Sequence, residues 1–185
     1  MNKQFNKEEL SGLLGELNKR LILEDKIIEM YIYGGACLAL AYNMRSSTAD
    51  IDAIFGDKIT VNRLVKSISE DYGLEENWLN DSVKGFVTPG FDYITANQKF
   101  SNIKIKFPTK EVLLAMKLVS SRLDDSQDLD DIKNLSKSLN FTKEEEFWNL
   151  LEKYYPINLI LPKTKYVILE VLEEINKPNN TKLSW

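Results

Sequence analysis

Residues 33–55 read YGGACLALAYNMRSSTADIDAIF and join a glycine turn to a segment with two aspartates. The preceding segment, residues 26–33, is rich in Ile, Met and Tyr, which is typical of a buried strand that runs into a turn. Gly34 and Gly35 lack a Cβ and can make that turn. Residues 36–42 contain no helix breaker, so a short helix is expected there. The glycines would then lie at a helix N-terminus, where exposed backbone amides can contact phosphate oxygens.

The second half of this stretch predicts a cation site. Asp50 and Asp52 stand one pleat repeat apart on an expected strand at residues 50–55, so both carboxylates should point to one face. Two carboxylates at this spacing can bind the same Mg²⁺ or Mn²⁺ ion, and such an ion neutralises phosphate charge during phosphoryl and nucleotidyl transfer. A solvated strand end explains an isolated Asp-x-Asp equally well. The glycine pair before it makes the combination much harder to obtain by chance.

The combined pattern resembles a known superfamily. It consists of the glycine pair, a short helix, an arginine followed by hydroxyl residues, and the two aspartates. This order is similar to that of nucleotidyltransferases of the DNA polymerase β type, and especially of their small bacterial members in toxin-antitoxin and phage abortive-infection systems. The resemblance implies that Asp50 and Asp52 are catalytic and bind metal, and that five residues bind nucleotide: Gly34, Gly35, Arg45, Ser46 and Ser47. Many relatives have Ser in place of the second glycine, so one phosphate-binding hydroxyl is absent here.

A later segment strengthens the resemblance. Residues 114–122 read LAMKLVSSR and precede Asp125, Asp128 and Asp131, which resembles the motif in which a helical Lys and Arg lead into an Arg-x-x-Asp-x-x-Asp run. The likeness then covers residues 27–135. It implies a catalytic place for Lys117, near the triphosphate or the acceptor, and a site role for Asp128. Solvent exposure of the lysine and helix-dipole stabilisation by the aspartates are the simpler alternatives.

A third catalytic carboxylate is not identified by the sequence. Many active members of the superfamily supply one from a later strand, but the corresponding segment, residues 102–107, carries Lys104 and Lys106. Alternation places these lysines on the wet side of a half-buried strand. Three other acids remain open alternatives: Asp81, Asp92 and Asp128.

Composition narrows the classes of function. The 185 residues are 43% hydrophobic, which is enough for one good core, and the net charge of -4 argues against a protein that mainly coats nucleic acid. The absence of histidine excludes His-dependent nucleophiles and His-based zinc sites. Cys37 lies in an apolar segment and is expected to be a core residue. Since no apolar run approaches the ~20 residues of a membrane helix and no signal-peptide pattern is evident, we expect a cytoplasmic protein without membrane contact.

The order of elements predicts an α+β fold, with a nucleotidyltransferase-like small mixed sheet flanked by helices and a helical C-terminal region. Residues 1–107 are expected to form the core with its leading helix at 7–23, and residues 108–185 a helical region packed on it as one compact unit. Residues 75–97 are expected to hold a short helix, a turn and one strand. Capping residues predict further helix starts: Thr60, with Gly73 as the stop, Thr109, Asp125, Thr142 with Glu145, and Thr164.

The sequence therefore predicts a Mg²⁺- or Mn²⁺-dependent enzyme that transfers a nucleoside monophosphate from a nucleoside triphosphate to a hydroxyl of RNA, such as tRNA, or of protein. The resemblance further implies a toxin of a toxin-antitoxin or phage-defence system, with an antitoxin-like protein partner. A catalytically inactive nucleotide-binding or regulatory module with the same fold is the alternative, motivated by Lys104 and Lys106. A third hypothesis is a helical interaction partner in which the early motif is only a tight turn.

Overall fold

The computed structural model of the chain describes residues 3–97, 99–121 and 126–177. The chain divides by its internal contacts into unit 1, Met1–Leu113, and unit 2, Leu114–Trp185. Unit 1 contains a mixed sheet and helices, whereas the described elements of unit 2 are helical. This combination confirms the predicted α+β fold class. The predicted domain boundary after residue 107 stays a prediction.

Seven strands lie in the described part of unit 1. They are β1 (Phe5–Asn6), β2 (Ile28–Ile32), β3 (Ser47–Thr48), β4 (Ile51–Phe55), β5 (Leu79–Asn80), β6 (Tyr93–Thr95) and β7 (Ile103–Pro108). Five of them form one sheet in the order β5-β4-β2-β7-β6, while β1 and β3 form a separate antiparallel pair. Strand β2 is antiparallel to β4 and parallel to β7. The two strands expected on either side of the glycine turn are confirmed as β2 and β4.

The helices of unit 1 follow the apolar periodicity of the sequence. They are α1 (Lys7–Leu23), α2 (Gly34–Leu40), α3 (Lys58–Tyr72) and a 3₁₀ helix (Ser82–Phe86). The leading helix is confirmed with its predicted bounds, and it buries five leucines: Leu10, Leu13, Leu14, Leu17 and Leu21. Its N-terminus is capped by Asn6, which accepts a hydrogen bond from the Glu9 backbone N–H at 2.9 Å and donates its own to the Glu9 carboxylate at 2.9 Å.

The third helix begins earlier than predicted. Asp57, not Thr60, is its N-cap, because the Asp57 carboxylate accepts a hydrogen bond from the Thr60 backbone N–H at 3.3 Å. Gly73 ends the helix as predicted, in the left-handed conformation with φ 62°. The segment after it carries Trp78, which is 1% exposed and donates its indole N–H to the Val65 carbonyl at 3.4 Å. Trp78 is therefore a core residue and does not serve as a base-stacking surface.

Four helices and a second 3₁₀ turn follow the sheet. They are α4 (Lys110–Ser120), which begins in unit 1, then α5 (Ser126–Ser138), α6 (Glu144–Tyr154), the 3₁₀ turn (Ile157–Leu159) and α7 (Lys163–Asn176). The predicted cap Thr109 is confirmed by its Oγ1, which accepts from the Val112 N–H at 3.4 Å. The predicted cap Asp125 and the motif residue Arg122 lie outside the described residues.

Two predicted caps in unit 2 are wrong in detail. Glu146, not Glu145, accepts the backbone N–H groups of Thr142 and Lys143, at 2.7 and 2.8 Å, so the cap of α6 is shifted by one residue. Thr164 is not the cap of α7, because the helix begins one residue earlier, at Lys163. The Thr164 side chain is fully buried. Within residues 3–97, 99–121 and 126–177, no helix combines the length and the apolar character needed to cross a membrane.

Candidate functional site

The glycine turn and the aspartate strand meet at Gly34. This residue has φ +58°, the left-handed region that glycine adopts without strain. The backbone N–H of Tyr33, just before it, donates to the Asp52 carbonyl at 2.8 Å, which joins the turn to β4. A Cβ on Gly34 would lie 3.0 Å from Asp52 Oδ2. The backbone of the turn therefore borders the Asp52 carboxylate, and a side chain at position 34 would occupy that border.

Gly35 is required for a different reason. Its φ is outside the left-handed region, but a Cβ on it would lie 2.6 Å from Thr48 Oγ1 and 3.1 Å from Arg45 Cζ. The residues between the glycines and the aspartates thus pack directly against the turn. A serine at this position, which the resemblance suggested as the common choice, would not fit without a shift of Thr48.

Arg45 is oriented by its own loop. Its Nε donates to the Ser47 carbonyl at 2.9 Å, and its charge acts on the Asp50 carboxyl. Ser47 lies in β3, which pairs with β1, whereas Ser46 is exposed. The structure thus brings Arg45 beside Gly35 and within electrostatic reach of Asp50. Nucleotide binding by Gly34, Gly35, Arg45, Ser46 and Ser47 stays a prediction.

Asp50 and Asp52 are held by the end of β5 and the residue that opens the following 3₁₀ helix. Strand β5 is parallel to β4, with Asn80 directly opposite Asp52. The Asn80 side-chain amide donates to Asp50 Oδ2 at 2.9 Å, and the Ser82 hydroxyl lies 3.0 Å from Asp52 Oδ1. The same hydroxyl also contacts Asn80 Oδ1. Both aspartates are thus linked to one short segment by neutral hydrogen-bonding groups.

The electrostatics of the pair differ from those of ordinary surface acids. Burial raises the pKa of the Asp50 carboxyl, and the neighbouring charge of Asp52 raises it further. The hydrogen bond from Asn80 and the charge of Arg45 lower it, but they do not outweigh the first two effects. A second positive charge between the carboxylates would relieve this repulsion.

The donor set suits a hard divalent cation. Carboxylate and amide oxygens are the ligands that Mg²⁺ and Mn²⁺ prefer, and Mg²⁺ in nucleotide enzymes is commonly held by one or two carboxylates plus substrate phosphates. The glycine backbone at the Asp52 carboxylate leaves open the space that a Cβ would fill. Among the residues that the structure describes, His, Cys, Asp and Glu form no cluster of three or more suited to a metal. Two carboxylates supply part of the ligands of such an ion, so the pair fits a cation that a substrate phosphate also binds.

Asp81 and Asp92, two of the open alternatives for a third carboxylate, have different surroundings. Asp81 lies between Asn80 and Ser82 in the chain, but its carboxylate contacts Lys58 at 2.6 Å and Lys84 at 3.4 Å, which lower its pKa. Asp92 is exposed, and its carbonyl accepts from the Thr109 N–H at 3.0 Å.

Asn80 and Ser82 were missed by sequence reasoning. Local patterns carry no signal for them, because β5 is only two residues long and Ser82 already opens the 3₁₀ helix that follows it.

Lys106 on β7 occupies its own polar cluster. Its ammonium lies 2.7 Å from the Glu29 carboxylate and 3.2 Å from the Tyr31 hydroxyl, which itself donates to Glu29 at 2.7 Å. Register pairs Lys106 with Tyr31 and Lys104 with Glu29 across the parallel strands. Lys104 is exposed, as predicted, and Lys106 is half-buried.

Residues of the later motif form an ionic cluster inside unit 2. Lys117 on α4 contacts Asp128 Oδ1 at 2.6 Å and Asp131 Oδ2 at 2.8 Å, both on α5. The lysine side chain is 12% exposed, so the simpler alternative of a solvent-exposed lysine is wrong. Burial opposes the charge of Lys117, but Asp131 and Asp128 outweigh it and raise the pKa of the lysine. Catalytic roles for Lys117 and Asp128 stay predictions.

Known proteins resemble the chain at the level of a family. The family described as "Nucleotidyltransferase of unknown function (DUF6036)" matches residues 8–165. No curated protein matches the sequence. A solved structure described as an antigenic nucleotidyltransferase-like protein from Paracoccidioides brasiliensis is 17% identical with a TM-score of 0.45, and the similarity covers 92% of this chain and 95% of that chain. A structural similarity this distant carries no functional assignment.

Proposed function

The chain belongs to this nucleotidyltransferase family, and we propose that it transfers a nucleoside monophosphate from a nucleoside triphosphate to a hydroxyl group in a reaction that depends on Mg²⁺ or Mn²⁺. The observation that carries the proposal is the hydrogen bond from the Tyr33 backbone N–H to the Asp52 carbonyl, which places the glycine turn beside two aspartates tied to Asn80 and Ser82. This arrangement unites the two halves of the motif at one place in unit 1.

Each residue has a proposed task. Asp50 and Asp52 hold the cation, which when bound supplies positive charge to the phosphate oxygens. The backbone at Gly34 and Gly35, with the hydroxyls of Ser46 and Ser47, contacts the triphosphate. Arg45, next to Gly35, offsets phosphate charge.

The proposed reaction exchanges a phosphoanhydride bond for a phosphodiester bond. The acceptor hydroxyl oxygen bonds to the α-phosphorus, the bond from this phosphorus to pyrophosphate breaks, and the hydroxyl proton passes to a carboxylate. Asp128 is the proposed proton acceptor, and Lys117 is proposed near the triphosphate or the acceptor. An RNA such as tRNA and a protein are both candidate acceptors. The toxin role with an antitoxin-like partner, and the cytoplasmic location, stay predictions from the resemblance and the composition.

The test is transfer of label from nucleotides. Purified protein is incubated with Mg²⁺ or Mn²⁺, each α-³²P nucleoside triphosphate in turn, and total tRNA or a protein extract. Asp52→Asn keeps the shape of the side chain and removes a charged ligand that contributes several kcal/mol, so transfer should fall on the order of 10²- to 10⁴-fold. Asp71→Asn, the same change at an exposed acid of α3, is the matched control and should transfer as wild type. Equal transfer by wild type and Asp52→Asn contradicts the proposal.

A non-catalytic nucleotide-binding module is the second candidate. The observation in its favour is Lys106, a cation held by Glu29 and Tyr31 on the later strand where many active relatives supply an acid. This candidate predicts that a nucleoside triphosphate with Mg²⁺ raises the melting temperature while no label is transferred to either class of acceptor. Label in any acceptor that depends on Asp52 excludes it.

A further inference from the structure

We infer that Asn80 and Ser82 are positioning residues, which orient the Asp50 and Asp52 carboxylates for a divalent cation without neutralising them. The inference deepens the proposed function and rests on it. Neither residue carries a charge, and both reach the aspartates from one turn at the end of β5. They act through the two aspartates and do not bind the cation themselves.

The contacts select one oxygen of each carboxylate. Asn80 Nδ2 binds Asp50 Oδ2 at 2.9 Å, and Ser82 Oγ lies 3.0 Å from Asp52 Oδ1. Among the described residues, no hydrogen bond engages the other oxygens, Asp50 Oδ1 and Asp52 Oδ2. The second of these is the oxygen that borders the Gly34 backbone. Each aspartate is therefore fixed by one oxygen and keeps the other for a ligand.

The turn also fixes the orientation of the amide. Asn80 Oδ1 accepts the Ser82 backbone N–H at 3.0 Å, and the Ser82 hydroxyl contacts the same oxygen. An amide whose oxygen is bound in this way must present its NH₂ group to Asp50, since only that end donates. The Asn80 side chain also donates to the Asn77 carbonyl at 3.3 Å. Its rotamer is thus set before any ligand arrives.

The lack of charge on both donors is the property that favours cation binding. A lysine or arginine in the same place would orient the carboxylates equally well, but its charge would compete with a divalent cation. Amide and hydroxyl donors fix geometry and leave the negative charge of the pair for the cation. Partners of this kind, behind the metal ligands, typically contribute 10–100-fold in metal affinity or activity.

The test measures cation binding directly, by titration of the full chain with Mn²⁺ and electron paramagnetic resonance of the free ion. Asn80→Ala is expected to weaken Mn²⁺ binding by about 10- to 100-fold. Ser82→Ala should weaken it less, because Asn80 still donates to Asp50, whereas Asn80→Ala removes that donor and also the oxygen that accepts from the Ser82 backbone. Ser82→Thr keeps the hydroxyl at an exposed position and should restore wild-type binding. Asn77→Ala is the matched control, since the contact there uses the backbone carbonyl.

Two further measurements separate positioning from a general structural effect. Melting temperatures without metal should be similar for wild type and Asn80→Ala, and the transfer activity of Asn80→Ala should recover as Mg²⁺ is raised. Mn²⁺ binding by Asn80→Ala at wild-type strength overturns the inference and leaves the proposed function standing. Weakened binding without transfer by the wild type retains the inference and contradicts the proposed function. Absence of Mn²⁺ binding by the wild type overturns the inference, and label transfer then decides the proposed function by itself, because its ion is shared with the substrate.

Discussion

Two pairs of aspartates in this protein have opposite surroundings. Asp128 and Asp131 in unit 2 share the ammonium of Lys117, at 2.6 and 2.8 Å. Asp50 and Asp52 in unit 1 receive their hydrogen bonds from the neutral side chains of Asn80 and Ser82. The first cluster carries its own counter-charge, whereas the second keeps a negative charge that burial and mutual repulsion make costly.

The two clusters are expected to respond differently when one charged partner is removed. A buried ion pair with good geometry is satisfied by the fold itself, so the removal of one partner costs stability. An acidic pair that neutral donors hold in place is stabilised most when a cation binds. Removal of one of these acids is therefore expected to weaken cation binding more than the stability of the fold. Stability measurements on the two clusters should therefore give opposite results.

The largest stability effect is expected at Lys117. Lys117→Met leaves Asp131, which is 5% exposed, without its lysine, so the free energy of unfolding should fall by about 3–5 kcal/mol at pH 8. Lys133→Met is the matched control, because Lys133 pairs with the exposed acids Asp130 and Glu174 and should contribute about 0–1 kcal/mol. Urea denaturation measures both. Equal losses of unfolding free energy in the two variants would contradict a special stabilising role for the Lys117 ion pairs.

The stability that Lys117 provides is expected to depend on pH in the alkaline range. The pKa of Lys117 is raised above its ordinary value of 10.5 in the folded protein, so the stabilisation it provides is fully present below that value and is lost as the pH rises through the raised pKa. The difference in unfolding free energy between wild type and Lys117→Met should thus be constant between pH 7 and 9 and narrow above pH 10.5. A difference that stays constant at pH 11 contradicts the raised pKa.

A smaller loss is expected at the glycine turn. Gly35→Ala places a Cβ 2.6 Å from Thr48 Oγ1, and overpacking of this kind costs about 1–3 kcal/mol. Gly12→Ala in the middle of α1 meets no atom within 4 Å and should stabilise the protein by about 0.5–1 kcal/mol. Thermal unfolding of the two variants gives opposite shifts. A combined Thr48→Ala change should recover part of the loss at position 35.

The smallest change is expected at the acidic pair itself. Asp52→Asn keeps an oxygen that accepts from Ser82 and removes the repulsion with Asp50, so the free energy of unfolding without metal should change by about 0.5 kcal/mol or less, or rise. Asp131→Asn, the same substitution in the Lys117 cluster, should destabilise by contrast. Chemical denaturation in the presence of EDTA makes the comparison. A large loss of stability in Asp52→Asn would show that this pair is structural as well.

Much of the fold follows from local patterns. Leucines at helical spacing predicted α1 with its observed bounds, and the glycine pair with the alternating strand after it predicted β2, α2 and β4. Caps were less predictable, because Asp57 and Glu146 compete with equally suitable neighbours at Thr60 and Glu145. The superfamily predicted from the early motif is confirmed by the family match.

The candidate site was only half predictable. Asp50 and Asp52 stand out in the sequence because both halves of their motif lie within one short stretch. Asn80 and Ser82 lie far along the chain, and no local rule indicates that β5 pairs with β4 in the register that brings Asn80 opposite Asp52. Solvent exposure was the simpler alternative for Lys117, but the lysine is buried against two acids contributed by the next helix.

The class of fold, the glycine turn and the acidic pair follow from the sequence alone, since these depend on backbone preferences and on the periodicity of neighbouring residues. The groups that surround each pair of aspartates depend on tertiary contacts. Strand register placed neutral donors at Asp50 and Asp52, and the packing of α4 with α5 placed a lysine at Asp128 and Asp131. The physical reason is that local propensity acts over a few residues, whereas charge neutralisation depends on side chains brought together from distant parts of the chain.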